Sequence, residues 1–418
     1  MTPLFVTPLS VVPQWPGRVL ALVFAFLAGC PVLANLVGTY VADGNSFAIT
    51  AGIACTALLL AGFAALRLGL PREAITGLRG PLLALAIIGL VFWTHWILVN
   101  LISPSPQPMM HNQVLQAAVW MLLPMLLFLF WRQYIDGFLV LRILVVIDCI
   151  FVLGLSLRWL LDLGMYQSGR WHAGFSLEAI RSGRYATMAL WVFALASLCP
   201  VEVMPSRLKL AALACLPLAL LMMVAANARG PWLALAVTVA VTGLPLARLL
   251  ADRIRRDTRV LAVVVLAVAV AAGFVAWQIA GVESDFDRLV TLTADGGSAA
   301  GRVTLVHDHL QLLRDTPMAL VSGCGYGHGL FYPHNVLIEA LVNGGLIQVF
   351  LLLAMFGVAI YVWRSRRGAA DVPSLMVAGL FLLSLVGSQV SGSIAGDLTW
   401  FFPLLLILVT TKPKPDIA

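Results

Sequence analysis

Long apolar runs separated by short polar stretches recur along almost the whole chain. Runs of spanning length fall near 18–41, 47–66, 81–102, 114–131, 138–160, 185–201, 208–226, 231–248, 260–280, 340–363, 374–390 and 397–411. A helix of about 20 apolar residues crosses the hydrocarbon core of a bilayer. The pattern therefore predicts an all-α polytopic membrane protein with about twelve transmembrane helices. One polar interruption, residues 281–333, is far longer than the others. Connectors of that length inside a compact unit are uncommon and usually functional. It divides the chain into nine spans over 1–280, the polar segment, and three more spans over 334–418.

Inside the polar segment two helical patterns can be read, a short mixed one at Ser284–Thr293 and a longer one at Arg302–Leu313. The second places Val303, Val306, Leu310 and Leu313 on one stripe, after a Gly296-Gly297-Ser298 hinge and before a stop at Asp315-Thr316-Pro317. This predicts a capping helix that packs its stripe on the bundle, with Arg302 in its first turn. The segment ends in Gly323-Cys324-Gly325-Tyr326-Gly327-His328, followed by Pro333-His334-Asn335 and then Glu339. Alternating glycines allow a tight turn and close approach to a ligand. His334 is expected to open an amphipathic helix, where outward N–H groups favour negative charge.

Composition agrees with the pattern. Of 418 residues, 61% are hydrophobic and 11% charged, with mean hydropathy +0.98. A soluble domain carries about 25% charged residues. Residues 1–14 have no basic stretch before the first apolar run, so no cleavable signal peptide is expected. Basic loops (Arg67, Arg72 and Arg79; Arg132 and Arg142; Arg253 to Arg259; Arg364 to Arg367) alternate with loops 42–46, 103–113 and 391–396, which hold no Lys or Arg. The positive-inside rule then puts both termini in the cytoplasm and residues 281–333 outside. The net charge of +7 reflects this bias rather than a nucleic-acid surface, and no nucleic-acid-binding module is present. Five of the six cysteines sit in apolar runs, without a disulfide framework. His307 and His309 are two apart, about 200° round a helix, so zinc-type spacing is missing and neither metal nor cofactor is expected.

Arginines gather on the outer side against the topological bias. Arg170, Arg181 and Arg184 fall in 161–185, Arg229 in the turn Asn227–Pro231, and Arg288, Arg302 and Arg314 in the long segment; these segments hold no lysine. Arg158 lies near the outer end of its own span. The planar guanidinium fork matches phosphate oxygens better than a point charge does. The pattern points to a bound polyanion; the plainer reading is snorkelling, or pairing with Asp285, Asp287, Asp308 and Asp315.

Four segments, in order, resemble the bacterial O-antigen ligases and the related O-antigen polymerases and protein O-oligosaccharyltransferases. They are Arg170-x-x-Ala-Gly-Phe175; Ala228-Arg229-Gly230, with Ala where the family usually has Ser; Gly301-Arg302 ahead of Gly323-x-Gly325-x-Gly327; and His334-Asn335 with Glu339 and Gly344-Gly345. The likeness covers roughly 165–350. It implies a GT-C-like fold and a metal-independent glycosyltransferase of the bacterial inner membrane with its site facing the periplasm. The implied donor is an undecaprenyl-diphosphate-linked glycan, and the implied acceptor is a sugar hydroxyl of lipid A-core.

In that chemistry arginines stabilise the departing diphosphate. Arg229 and Arg302 are the first candidates, with Arg184, Arg181, Arg170 and Arg288 around them. His334 is the candidate base, kept neutral by neighbouring cations; it is alternatively a donor to the diphosphate, or a structural residue at a helix start. Asn335, Glu339, Gly325 and Gly327 are supporting residues, Glu339 being expected to orient Asn335. Three competing functions remain: a polymerase of the same family, an anionic-lipid transporter or flippase, and a non-catalytic scaffold. A transporter needs polar residues at mid-membrane depth, where Asp148 is the main charged exception, and it usually shows an internal repeat.

Overall fold

The structure, a computed structural model, describes residues 14–40, 46–68, 80–103, 125–126, 130–131, 134–161, 165–167, 170–172, 179–226, 228–256, 298–328, 333, 335–365, 371–391 and 405. Its helices are α1 (Gln14–Tyr40), α2 (Ser46–Leu68), α3 (Pro81–Ile102), α4 (Gly137–Leu160), α5 (Ala179–Leu198), α6 (Ser206–Ala225), α7 (Arg229–Arg256), α8 (Ser298–Asp315), α9 (Pro317–Ser322), α10 (Val336–Ser365) and α11 (Val372–Ser391). Two short strands, β1 (Met165–Gln167) and β2 (Arg170–His172), pair antiparallel with Tyr166 opposite Trp171. The all-α expectation therefore needs one correction, a small hairpin between α4 and α5.

Among the described residues six helices contain stretches long and apolar enough to cross a membrane: Leu83–Ile102, Gly137–Leu160, Ser206–Ala225, Gly230–Ala251, Val336–Trp363 and Val372–Gln389. The protein is an α-helical, membrane-embedded one. The runs expected at 114–131, 260–280 and 397–411 lie outside the described residues, apart from a few isolated positions.

Two boundaries differ from the hydropathy pattern in a way that matters. α5 begins at Ala179, six residues before its apolar run, so Arg181 and Arg184 stand in its first turns and not in a loop. Arginine is a good helix former, and Arg184 is 8% exposed, so burial replaces hydropathy as the reason for this start. Helix α7 likewise resumes at Arg229, which shortens the expected turn at Asn227–Pro231.

Lipid tails are as apolar as leucine, so helices in a bilayer associate through close packing and buried polar contacts. Both are present here. Helices α5 and α11 cross closely because Gly379 leaves room for the Trp191 ring, whose Nε1 donates to the Met376 carbonyl at 3.1 Å. Trp93 and Trp96 of α3 are fully buried and meet edge to face at 6.1 Å. Helix α10 is interrupted at Gly345, where φ is 68° and ψ −168°, and its two pieces (336–344 and 346–365) point differently.

Of the 281–333 segment, residues 298–328 and 333 are described, and Ser284–Thr293 lies outside them. Helix α8 starts at Ser298, earlier than expected, and stops at Asp315, after which Pro317 opens α9. The expected packing stripe holds at Leu313 and fails at Val303 and Leu310. Val303 is 70% exposed and Leu310 48% exposed, while His309 and Leu313 are buried. Leu313 packs with Ala319 of α9 and Val342 of α10, with Leu312 alongside. The docked face is set by this contact at the C-terminal end of α8, and it turns Val303 and Leu310 away.

Candidate functional site

The glycine segment closes on the protein's own main chain. Gly323 (φ 78°) lies so near the Asn343 carbonyl, and Gly345 so near the Val321 carbonyl, that a Cβ at either position would overlap backbone. Between them the Cys324 N–H donates to the Val342 carbonyl at 2.9 Å, and the Cys324 thiol lies 3.2 Å from the same oxygen. Burial pushes that thiol above its ordinary pKa, which makes it a poor nucleophile. Gly325 (φ 59°) is approached by the Val99 and Ser103 carbonyls at the end of α3, each 3.0 Å from where its Cβ would stand. Where close approach to a ligand is expected of these glycines, the contacts described at Gly323 and Gly325 are to the main chain of α10 and α3. The last turn of the 298–328 segment is wedged between α3 and the break in α10.

A buried polar chain holds the same joint. Asn100 donates through Nδ2 to the Trp96 carbonyl at 2.8 Å and accepts at Oδ1 from the Tyr326 N–H at 2.9 Å. The Tyr326 hydroxyl then donates to Glu339 Oε1. Asn100, Tyr326 and Glu339 are each at most 2% exposed. Because an unpaired polar group costs far more in a dry interior than in water, such a chain fixes its members in one arrangement. It links α3, the turn and the first piece of α10.

Asn335 is the N-cap of α10. Its Oδ1 accepts from the N–H groups of Leu337 at 3.0 Å and Ile338 at 3.1 Å, and its Nδ2 donates to the Gln389 carbonyl of α11 at 3.0 Å. This corrects two expectations. The helix opens at Val336 behind an Asn cap rather than at His334, and two of the N–H groups thought free to hold an anion are satisfied by the cap. Glu339 turns to Tyr326, so it does not orient Asn335 through a side-chain bond.

Across from this tip stands Arg184. A Cβ at Gly387 of α11 would lie 3.0 Å from its Nε and 3.3 Å from its Cζ and Nη2. The guanidinium therefore rests on the bare main chain of α11, two residues from the carbonyl that holds Asn335. Gly183, next to Arg184, faces the α6–α7 turn in the same manner: its Cβ would meet Pro231 Cγ at 3.1 Å and Ala226 Cβ at 3.3 Å. The main chain of Arg229 lies in that turn region, at the start of α7.

One end of the bundle thus brings together Arg184, the Arg229 segment, Asn335, Glu339 and Gly325. Arg181 is one turn from Arg184 and exposed. For Arg170, Arg229, Arg302 and Gly327 the main chain is placed, in β2, α7, α8 and the short 3₁₀ turn at Gly325–His328, and the side chains of the three arginines lie outside what is described. Arg288 and His334 lie wholly outside them. His307 is exposed beside Asp308, 3.9 Å away, whereas His309 is buried and bonded to the Leu305 carbonyl, so the two diverge as their spacing requires. Among the described residues no group of three or more His, Cys, Asp or Glu could hold a metal ion.

No protein-family model matches the chain, and no curated protein matches it. The likeness to the O-antigen ligases accordingly rests on the four motif segments alone.

Sequence reasoning missed Asn100, Tyr326, Gln389 and one further pair. His95 of α3 meets Gln348 Oε1 at 2.6 Å, and Gln348 Nε2 donates to the Phe92 carbonyl at 3.2 Å, just beyond the break in α10. An available signal was passed over: polar amides and a histidine inside apolar runs are costly in lipid and mark contacts or sites.

Proposed function

We propose that the protein is a lipid-diphosphate-dependent glycosyltransferase of the O-antigen ligase type, working at the periplasmic face of the bacterial inner membrane. The observation that carries this reading is convergence. Residues 183–184, 226–231, 335–339 and 387–389, far apart in sequence, meet at one end of a membrane-embedded bundle. Two of these segments, 226–231 and 335–339, hold motif residues that the resemblance singles out, and a third holds the candidate Arg184. Arginines at a buried membrane end suit a diphosphate, because preorganised charge in a dry site stabilises a leaving group without reorganisation.

In the proposed reaction Arg229 and Arg302 grip the diphosphate of the undecaprenyl-linked glycan, with Arg184, Arg181, Arg170 and Arg288 contributing charge. His334 removes the proton from the acceptor sugar hydroxyl of lipid A-core. That oxygen bonds to the anomeric carbon, the bond to the diphosphate oxygen breaks, and undecaprenyl diphosphate departs.

The decisive experiment uses purified protein and lipid-linked glycan. His334→Ala is expected to bind the donor normally and transfer about a hundredfold more slowly, the scale of a lost general base. Arg229→Ala is expected to lose donor binding. Normal transfer by both variants would end the reading. The polysaccharide of a deletion strain separates ligase from polymerase: a ligase null loses every cap, while a polymerase null keeps single-repeat caps. A transporter is the second reading, favoured by the part-buried His95–Gln348 pair within the apolar part of the bundle. Lipid translocation by the purified protein, without any transfer, would select it.

A further inference from the structure

We infer that Gly387 is a positioning residue of the proposed site, and that the last two turns of α11 form one wall setting the Arg184 guanidinium at a fixed spacing from the Asn335 tip. The inference rests on the reading that Arg184 binds the donor diphosphate.

Helices α5 and α11 run antiparallel, and two α5 side chains seven residues apart sit over two α11 glycines eight apart: Trp191 over Gly379, and Arg184 over Gly387. Seven and eight residues are each about two helical turns. The two seats therefore repeat along one face of the crossing. At the deeper seat the occupant is a ring, anchored by its bond to Met376, and the seat serves packing. At the end of the bundle the occupant is a cation that is 8% exposed. A guanidinium makes directional bonds in the plane of its fork, so displacing or rotating it loses more than displacing a point charge would. The methyl of an alanine at Gly387 would push against Nε, Cζ and Nη2 together at 3.0–3.3 Å, closer than an unstrained contact allows. The guanidinium is the end of a flexible side chain and gives way by a few tenths of an ångström, so the helix crossing survives and the charge moves. Two residues further on, the Gln389 carbonyl holds Asn335. One stretch of main chain therefore references both the cation and the cap of α10.

The test measures binding of undecaprenyl diphosphate to the purified full chain through tryptophan fluorescence, alongside transfer kinetics. Gly387→Ala is expected to weaken binding and lower kcat/KM about fivefold, since a shift of a few tenths of an ångström is a fraction of the 1 Å misplacement that costs on the order of a hundredfold. In an Arg184→Ala background, adding Gly387→Ala should change neither quantity further, because the residue acts through the guanidinium. Wild-type affinity in Gly387→Ala, or an equal loss in both backgrounds, would overturn the inference while leaving the glycosyltransferase reading intact. If the wild-type chain binds no undecaprenyl diphosphate, that reading fails and takes this inference with it. Poor folding of Gly387→Ala is detected as aggregation, and Arg184→Lys, which leaves Gly387 bare and removes the fork seated on it, then decides: weakened binding is expected, and wild-type affinity would overturn the inference.

Discussion

The α10 tip and the α11 wall face each other across the same end of the bundle and are built on opposite principles. The tip is joined by main-chain contact and hydrogen bonds: Gly323 against Asn343, Cys324 to Val342, and Asn100 through Tyr326 to Glu339. At the wall steric seats lead, Arg184 on Gly387, Trp191 on Gly379, and Gly183 on Pro231 and Ala226, with the Trp191–Met376 and Asn335–Gln389 hydrogen bonds beside them. Hydrogen-bonded joints fail sharply when one partner is lost, because the other is left buried and unsatisfied. Steric seats shift by degrees. The tip is suited to hold a group in one orientation, and the wall to set a distance.

The largest effect should follow from placing a side chain in the tip. Gly323→Ala and Gly345→Ala each add a Cβ at positive φ that overlaps backbone, which cannot move aside as a side chain does. Left-handed backbone costs about 1–2 kcal/mol and overpacking about 1–3 kcal/mol. Both variants should lose folded, monodisperse protein on size exclusion in detergent. Gly301→Ala in α8, with nothing within 4 Å of its Cβ, should be neutral or slightly stabilising. Equal behaviour of all three would show that the joint is not packed as described.

An intermediate effect isolates the polar chain. Tyr326→Phe keeps the ring on Trp96, 5.9 Å away, and removes the hydroxyl that Glu339 accepts from. Tyr326→Phe, Glu339→Gln and the double variant should show a coupling of about 1 kcal/mol in thermal stability. Undecaprenyl diphosphate affinity, assigned to the arginines and not to this polar chain, should hardly change. A parallel fall in affinity would merge the two regions into one cooperative unit.

The residues that the sequence read well are those whose reasons are local. Helix α3 runs from Pro81 to Ile102, the same limits as its apolar run, since Pro at N1 and continuous hydropathy both act within the element. Arg184 was named as a candidate, but its seat was hidden because Gly387 is 203 residues away. Tyr326 stands between glycines and Asn100 near the end of a span, and neither position carries a local sign of the other. Their bond is a tertiary fact with no local periodicity. Asn335 is legible in principle, as asparagine is among the best N-caps, yet reading the helix from His334 starts it two residues too early.

The smallest effect is a pH dependence on the tip's side of the comparison. Burial lowers the His309 pKa below its ordinary 6.5, outweighing the Leu305 carbonyl and Asp308, which raise it. The unfolded chain therefore takes up this proton more readily than the folded one. The stability that neutral His309 contributes is present above that ordinary value and lost as pH falls through and below it. Melting temperature should drop modestly between pH 7.5 and 5.5, and His309→Gln should flatten that slope. An unchanged slope in the variant would remove α8 from the tip's support.

The joint between Val321–Gly323 and residues 342–345 is made by peptide groups, which every amino acid carries alike. Three glycines preserve it, whatever happens to the side chains nearby. A lineage that keeps Gly323, Gly325 and Gly345 inherits the scaffold intact and remains free to exchange ligand-facing residues one mutation at a time. Diversification in what such a protein recognises then proceeds without a passage through unfolded ancestors.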